Sequence, residues 1–305
     1  MKNINLKELK ADFLLLSVAI AWGVTFLMVQ DAVKNVPVYS FLFYRFLIAT
    51  VLMFLICLPR LKKINKKNII YGFILGLALF SGFATQTFAL THTQSSIVAF
   101  ITGFNVIFVP FLSYLLFKDV VRKNVLIASI VAIVGLYFLT MSGSLGFKTG
   151  EFLSLVCAFM FALHIVITGK LSSKEDVFLI VTFQFLTVTI LSLFFSLYME
   201  DVTFNIEFDN TFLKAVVITS VFATVYAFLI QTYFQQFTTP TKTAIIFTME
   251  PLSASFYGSF VGNEVFTSIQ ILGAVLIVVA TLISEIKLKK RAKTEYQKEK
   301  DIISQ

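Results

Sequence analysis

Residues 86–120 read QTFALTHTQSSIVAFITGFNVIFVPFLSYLLFKDV, and residues 231–265 read QTYFQQFTTPTKTAIIFTMEPLSASFYGSFVGNEV. The second stretch repeats the first at an offset of 145 positions, without a gap. Gln86-Thr87-Phe88 falls on Gln231-Thr232-Tyr233, Ala99 on Ala244, Asn105 on Glu250, and Asp119-Val120 on Glu264-Val265. Upstream, an offset of 139 lays Asp12-Phe13-Leu14 on Glu151-Phe152-Leu153, and Arg45 on Gln184. The six-residue difference falls in an acidic loop that holds Glu200, Asp201, Glu207 and Asp209. Self-similarity held at one offset marks an internal duplication.

The material that is duplicated is apolar. Of 305 residues, 58% are hydrophobic and only 14% charged, and the mean hydropathy is +0.88. A soluble globule would have too few charges to cover its surface, and a disordered chain needs the opposite balance. The 36 Phe and 10 Tyr suit lipid-facing and interfacial positions. A bilayer core takes roughly 20 apolar residues per helix. Runs bounded by charges or turn residues predict ten spans, near 12–33, 37–58, 69–90, 95–117, 124–142, 150–169, 177–199, 211–232, 242–262 and 268–286. These runs are too long for barrel strands. The first has no small-x-small cleavage site close behind it and reads as a retained helix.

Charge sets the orientation. With the N-terminus in the cytoplasm, 21 Lys and Arg fall on inner segments, and only Lys34, Lys148 and Lys214 on outer ones. Arg45 lies within a span. The positive-inside rule therefore places both termini in the cytoplasm, in a multi-pass protein of the cell (inner) membrane. The net charge of +8 is spread along the inner loops, so it reads as orientation rather than as a nucleic-acid surface. The charged tail at 287–305 carries a basic part suited to anionic lipid.

Five spans per copy is odd, so the second copy enters from the opposite face. The expected fold is an all-α integral membrane protein of ten transmembrane helices in two inverted five-helix repeats, at 12–142 and 150–286. The first copy reads Trp22-Gly23-Val24-Thr25-Phe26, Tyr44-Arg45-Phe46-Leu47-Ile48-Ala49, Gly82-Phe83-Ala84-Thr85-Gln86-Thr87, Ala99-Phe100-Ile101-Thr102-Gly103 and Val109-Pro110. The second reads Ala244-Ile245-Ile246-Phe247-Thr248-Met249-Glu250-Pro251, then Gly262-Asn263-Glu264. In order and spacing these motifs resemble the EamA-type repeats of the drug/metabolite transporter superfamily, over nearly the whole chain. Lys118-Asp119 departs from that pattern, which commonly has a glutamate there. The resemblance implies a central cavity lined chiefly by spans 1, 3, 4, 6, 8 and 9, and export or exchange of small metabolites, often amino acids or amphipathic compounds.

Ionisable residues inside a span cost roughly 2.5–3.5 kcal/mol on insertion scales and point to function. Glu250 sits near mid-depth of span nine, before Pro251, whose ring frees the carbonyl one turn earlier. It is a candidate for proton coupling or for contact with a substrate amine; a plain interhelical hydrogen bond is the alternative. Arg45, about 12 Å deep, can take a substrate carboxylate, but snorkelling or a structural ion pair is the favoured reading. The resemblance sets its helix outside the cavity walls. His164 is either a titrating group or a neutral hydrogen-bonded one. Gln86 and Gln231, like Asn105 and Glu250, occupy matched positions and face one another under a pseudo-two-fold. Trp22 and Tyr226 offer aromatic faces to a ligand or to packing. Gly72-x-x-x-Gly76 predicts a close helix crossing.

Cys57 and Cys157 lie in separate apolar runs, His92 reads as interfacial, and no metal site or cofactor is expected. A G-x-x-x-x-G-K-[ST] loop is lacking, so transport would draw on protons, another ion or a counter-substrate. The expected function is a secondary transporter working by alternating access on a small-molecule substrate within the lipid bilayer. A non-transporting membrane scaffold is the rival; a membrane-embedded enzyme is disfavoured by the lack of clustered carboxylates. Substrate identity, direction and oligomeric state have no signature in the sequence.

Overall fold

The computed structural model describes residues 6–119, 121, 123–140, 148–172, 174–200 and 208–285. Most of the acidic loop (201–207) and the basic tail (287–305) lie outside the described residues. Among the described residues every regular element is a helix. In order these are α1 (Leu6–Ala32), α2 (Val38–Cys57), α3 (Lys66–Leu90), α4 (Ser95–Thr102), α5 (Asn105–Phe117) and α6 (Lys123–Thr140). The second half contributes α7 (Thr149–Leu171), α8 (Val177–Met199), α9 (Asn210–Ser220), α10 (Ala227–Phe234), α11 (Pro240–Ile246), α12 (Met249–Val261) and α13 (Ser268–Glu285). A π-turn at Val221–Tyr226 joins α9 to α10.

Polar side chains start several of these helices. Asn65 and Asn68 satisfy each other's backbone N–H at 3.0 and 2.9 Å at the start of α3. Asp176 accepts from Phe178 N ahead of α8, and Asp209 from Phe212 N ahead of α9. Among the described residues seven stretches are long and apolar enough to cross a membrane: 9–32, 38–63, 66–90, 95–117, 149–171, 177–199 and 210–237. Of the three other expected spans, two are the shorter apolar helices at 126–139 and 268–280. The third is divided at Phe247–Thr248 into α11 and α12. Large apolar side chains such as Ile130, Phe194, Phe256 and Phe260 point outward, more than half exposed, as a lipid-facing surface requires.

Matched helices of the two copies run antiparallel against each other. Along α2 and α8, Ser40 meets Ser196 at 2.7 Å, Thr50 meets Thr189 at 2.9 Å, and Cys57 meets Thr182 at 3.1 Å. Thr50 and Thr189 are counterparts at the 139 offset. On α6 and α13, Gly135 touches Gly273 and Ile277, and Gly273 reaches Leu139. The crossing predicted from Gly72 and Gly76 is present: both lie against α8, where an added Cβ would sit 2.3 Å from Phe183 Cβ and 2.5 Å from Thr187 Cβ.

Four phenylalanines close a ring at the centre. Phe46 and Phe185 are matched at offset 139, Phe83 and Phe228 at 145. Their centroids lie 5.2 Å (46–83), 5.7 Å (46–185), 5.8 Å (185–228) and 6.0 Å (83–228) apart, at interplanar angles of 65–85°. Edge-to-face pairs contribute about 1 kcal/mol each beyond burial. Phe185→Ala removes two of them and leaves a cavity at a fully buried site, and is expected to lower stability by about 3–5 kcal/mol, read as a fall in the thermal unfolding midpoint in detergent; an unchanged midpoint would show that the ring contributes nothing.

Candidate functional site

Beside this ring lies a cavity at the junction of the two copies, lined by residues of both. Two helix breaks shape it. α4 passes into α5 through Gly103–Phe104, and α11 into α12 through Phe247–Thr248. Asn105 is thus the first residue of α5 and Glu250 the second of α12, with both side chains on the cavity wall. Broken helices bring polar backbone ends to mid-membrane, where a ligand can use them. Pro251 has a different role from the one its sequence position implies. It occupies the first turn of α12, where a missing N–H costs nothing, so the break itself exposes the backbone.

Glycine brings α1 against this break. An added Cβ on Gly23 would sit 2.4 Å from Glu250 O and 2.8 Å from Ala254 N. Next to it, Trp22 lines the cavity, with its ring 4.9 Å from Phe247 and 5.4 Å from Phe228. Its indole Nε1–H donates to Ala223 O at 2.8 Å.

Arg45 is on the wall too, so α2 joins the lining helices. The side chain does not snorkel, and it forms no ion pair among the described residues. It is buried, and its Cζ lies 4.4 Å from the Phe83 ring centroid. Nε donates to Thr224 Oγ1 at 2.9 Å, and Nη2 to Ala223 O at 3.4 Å. Both partners belong to the π-turn, which shifts the i→i−4 ladder and leaves acceptors available. Thr224 Oγ1 in turn donates to Thr219 O, five residues back. No carboxylate pairs with Arg45 among the described residues.

The matched corner in the second copy is neutral. Gln184 replaces Arg45, and its Oε1 lies 3.2 Å from His164 Nε2. His164 is buried, edge-on to Phe228 at 5.6 Å. Gln86, Gln231 and His164 all face the cavity with Asn105 and Glu250. Buried polar atoms normally find partners, yet Asn105 Oδ1 and both amide atoms of Gln231 have none. The Glu250 side chain is 6% exposed and has no hydrogen bond to any described residue. One cation, one carboxyl group and open amides thus meet between walls formed by Trp22, Phe83, Phe161, Phe228 and Phe247.

Tyr226 is not brought here. Its hydroxyl lies 2.7 Å from Ser17 Oγ, tying α1 to the start of α10. His92 is exposed, with Nδ1 2.9 Å from Phe88 O. Among the described residues no His, Cys, Asp and Glu groups could hold a metal ion. The sequence reading missed Thr224 and Ala223, because a π-turn leaves no trace in a uniformly apolar run. Phe83 and Phe228 were within reach, since both obey the 145 offset.

The EamA-like transporter family profile matches residues 9–141 and again residues 148–285. The chain belongs to the EamA-like transporter family. Two proteins of Archaeoglobus fulgidus, each named "Uncharacterized transporter", are similar to it. One is 33% identical over 282 residues, covering 92% of this chain and 88% of the relative. The other is 25% identical over 269 residues, covering 84% and 90%. A solved structure titled "Crystal structure of protein" shares the fold, with a TM-score of 0.69 at 14% identity over 90% of this chain and 96% of that one. This EamA-family chain is a multi-pass membrane transporter.

Proposed function

We propose that this EamA-family protein is a secondary-active transporter, exporting or exchanging small metabolites such as amino acids or related amphipathic compounds by alternating access. Ten spans in two inverted five-helix repeats cross the cell membrane, with both termini in the cytoplasm. The antiparallel contacts between matched helices support the inversion, and the basic inner loops support the orientation.

The observation that carries the reading is the polarised cavity. Among the described residues the Arg45 guanidinium has no carboxylate partner, which favours an anionic group on the ligand. Glu250, with Asn105 and Gln231 open beside it, takes an amine or a proton. The aromatic walls hold the apolar remainder. A substrate amine and a proton compete for one carboxylate, so one can be exchanged for the other across the membrane.

Flux into proteoliposomes tests this directly. Labelled amino acids and related carboxylate-bearing amphiphiles are offered with and without a pH gradient or a trans counter-substrate. Saturable flux of at least one compound, accelerated by either gradient, is expected. Flux that ignores both gradients would remove the secondary-active reading, and no flux across the whole set would leave a scaffold.

A further inference from the structure

Lys118 and Asn263 have left-handed backbones, at φ 61° and 51°, and no other described residue except glycine has a positive φ. They are matched at the 145 offset, each follows the second half of a broken helix within two residues, and each precedes an acid. The backbone closures also match: Asp119 N donates to Ser113 O at 3.4 Å, Glu264 N to Gly258 O at 3.0 Å.

Beyond that point the two corners diverge. Glu264, which follows α12, reaches into the other repeat and seats its carboxylate on the first turn of α4. Oε1 accepts from Ser95 N at 3.0 Å and Ser95 Oγ at 2.6 Å. Oε2 accepts from Ser96 N at 3.3 Å and from the Ser96 hydroxyl. Four donors and the positive end of a helix favour a carboxylate there. Gly258 leaves the passage open, since a Cβ would lie 2.5 Å from Glu264 Oε2 and 2.7 Å from Ser96 Oγ.

At the opposite end three of these parts are altered, while the counterpart of Ser96 is Thr241, which keeps a hydroxyl and an N–H. Asp119 is one methylene shorter than Glu264. Ser113 stands where Gly258 does, and its hydroxyl donates to Asp119 Oδ2, drawing the carboxylate back to its own helix. That hydrogen bond, helped by Lys170 Nζ at 3.2 Å, holds the Asp119 carboxyl below the usual range. The counterpart of Ser95 is Pro240, which offers neither an N–H nor a hydroxyl. What joins the repeats on that side is the Ser17–Tyr226 hydrogen bond, partly exposed ion pairs (Lys170 to Asp119, Lys242 Nζ to Asp12 Oδ2 at 2.7 Å, Arg60 Nη1 to Asp176 Oδ2 at 3.1 Å), and Glu175, which accepts from Asn65 Nδ2 at 2.8 Å. Exposed ion pairs contribute little.

We propose that Glu264 is a latch that holds the α4 end of the bundle shut, and that the duplicated latch at the Asp119 end has been dismantled. The two access states are therefore unequal, and the one closed at the α4 end is favoured. This rests on the alternating-access reading and on its orientation, which makes the α4 end the outer one.

α1 runs alongside α12, with Gly23 by Ala254 and Leu27 by Gly262, so Val29 lines the cavity on the α4 side. The test places Val29→Cys in a Cys57→Ala/Cys157→Ala background and follows labelling of intact cells by a membrane-impermeant maleimide. Glu264→Gln and, separately, Gly258→Ser are each expected to speed labelling about tenfold, a shift of the open population. Where either fails to purify as a monodisperse protein, Ser95→Ala/Ser96→Ala, which removes only hydroxyl donors, decides the same question. Folded variants that label at the parent rate overturn the latch. Lys63→Cys, exposed on the opposite side, reports orientation independently and is expected to label only in inverted vesicles. If it labels in intact cells, the orientation is wrong, and the Val29 comparison moves to the other face with the latch still under test.

Discussion

Arg45→Leu is expected to slow flux of a carboxylate-bearing substrate about 100-fold in proteoliposomes, the upper end for losing a hydrogen bond to a charged group. Arg45→Lys keeps the charge but loses the planar fork that spans Thr224 Oγ1 and Ala223 O, so it should recover only part of the rate. Glu250→Gln separates the other half of the site. It preserves shape but cannot release a proton, so flux should become indifferent to an imposed pH gradient. Wild-type flux with the pH response intact in Glu250→Gln would remove this residue from coupling. Wild-type flux of carboxylates in Arg45→Leu would remove the anion contact. The paired design separates the two proposed duties, one electrostatic throughout and one alternating.

Gly23→Val is expected to eliminate flux and to cost about 3 kcal/mol of stability or more, as for overpacking of a tight contact. Its Cβ would press on the backbone at Glu250 O and Ala254 N, so α12 must move away and take Glu250 with it. Ser253 Oγ is nearer still, at 2.0 Å, but it belongs to a small side chain that can rotate. Ser253→Ala should therefore fail to rescue Gly23→Val. Rescue would show that the backbone contact is not what positions Glu250. Unfolding midpoints and flux read both parts of the result.

Much of this was open to reading from residue types and spacing. The 145 offset found the duplicated half, and Gly72 with Gly76 announced the α3–α8 crossing that the added-Cβ contacts confirm. Trp22, Gln86, Asn105, Gln231 and Glu250 were singled out as polar or aromatic groups inside apolar runs, and they share one cavity. The environment of Arg45 was not legible. Its partner Thr224 is 179 positions away, on a π-turn whose helical irregularity has no periodic signature. Snorkelling is the sound expectation for an arginine seen only against its own helix. The reading of Pro251 failed for a related reason. Proline in the middle of a span and proline in the first turn of a new helix look alike until the break two residues before Met249 is seen. Tyr226 and Trp22 are both aromatic and amphipathic, and only the packing decides which faces the cavity.

The ring of Phe46, Phe83, Phe185 and Phe228 has a mechanical meaning. Counterparts related by a two-fold can touch only close to that axis, so Phe46 with Phe185, Phe83 with Phe228 and Thr50 with Thr189 trace where it runs. A rotation displaces each atom in proportion to its distance from the pivot. Should the halves rock about a line near this one, the phenylalanines would hardly travel while the helix ends swept the widest arcs. The centre would then act as a bearing that stays packed in both states, leaving the energetic difference between them to contacts at the rim.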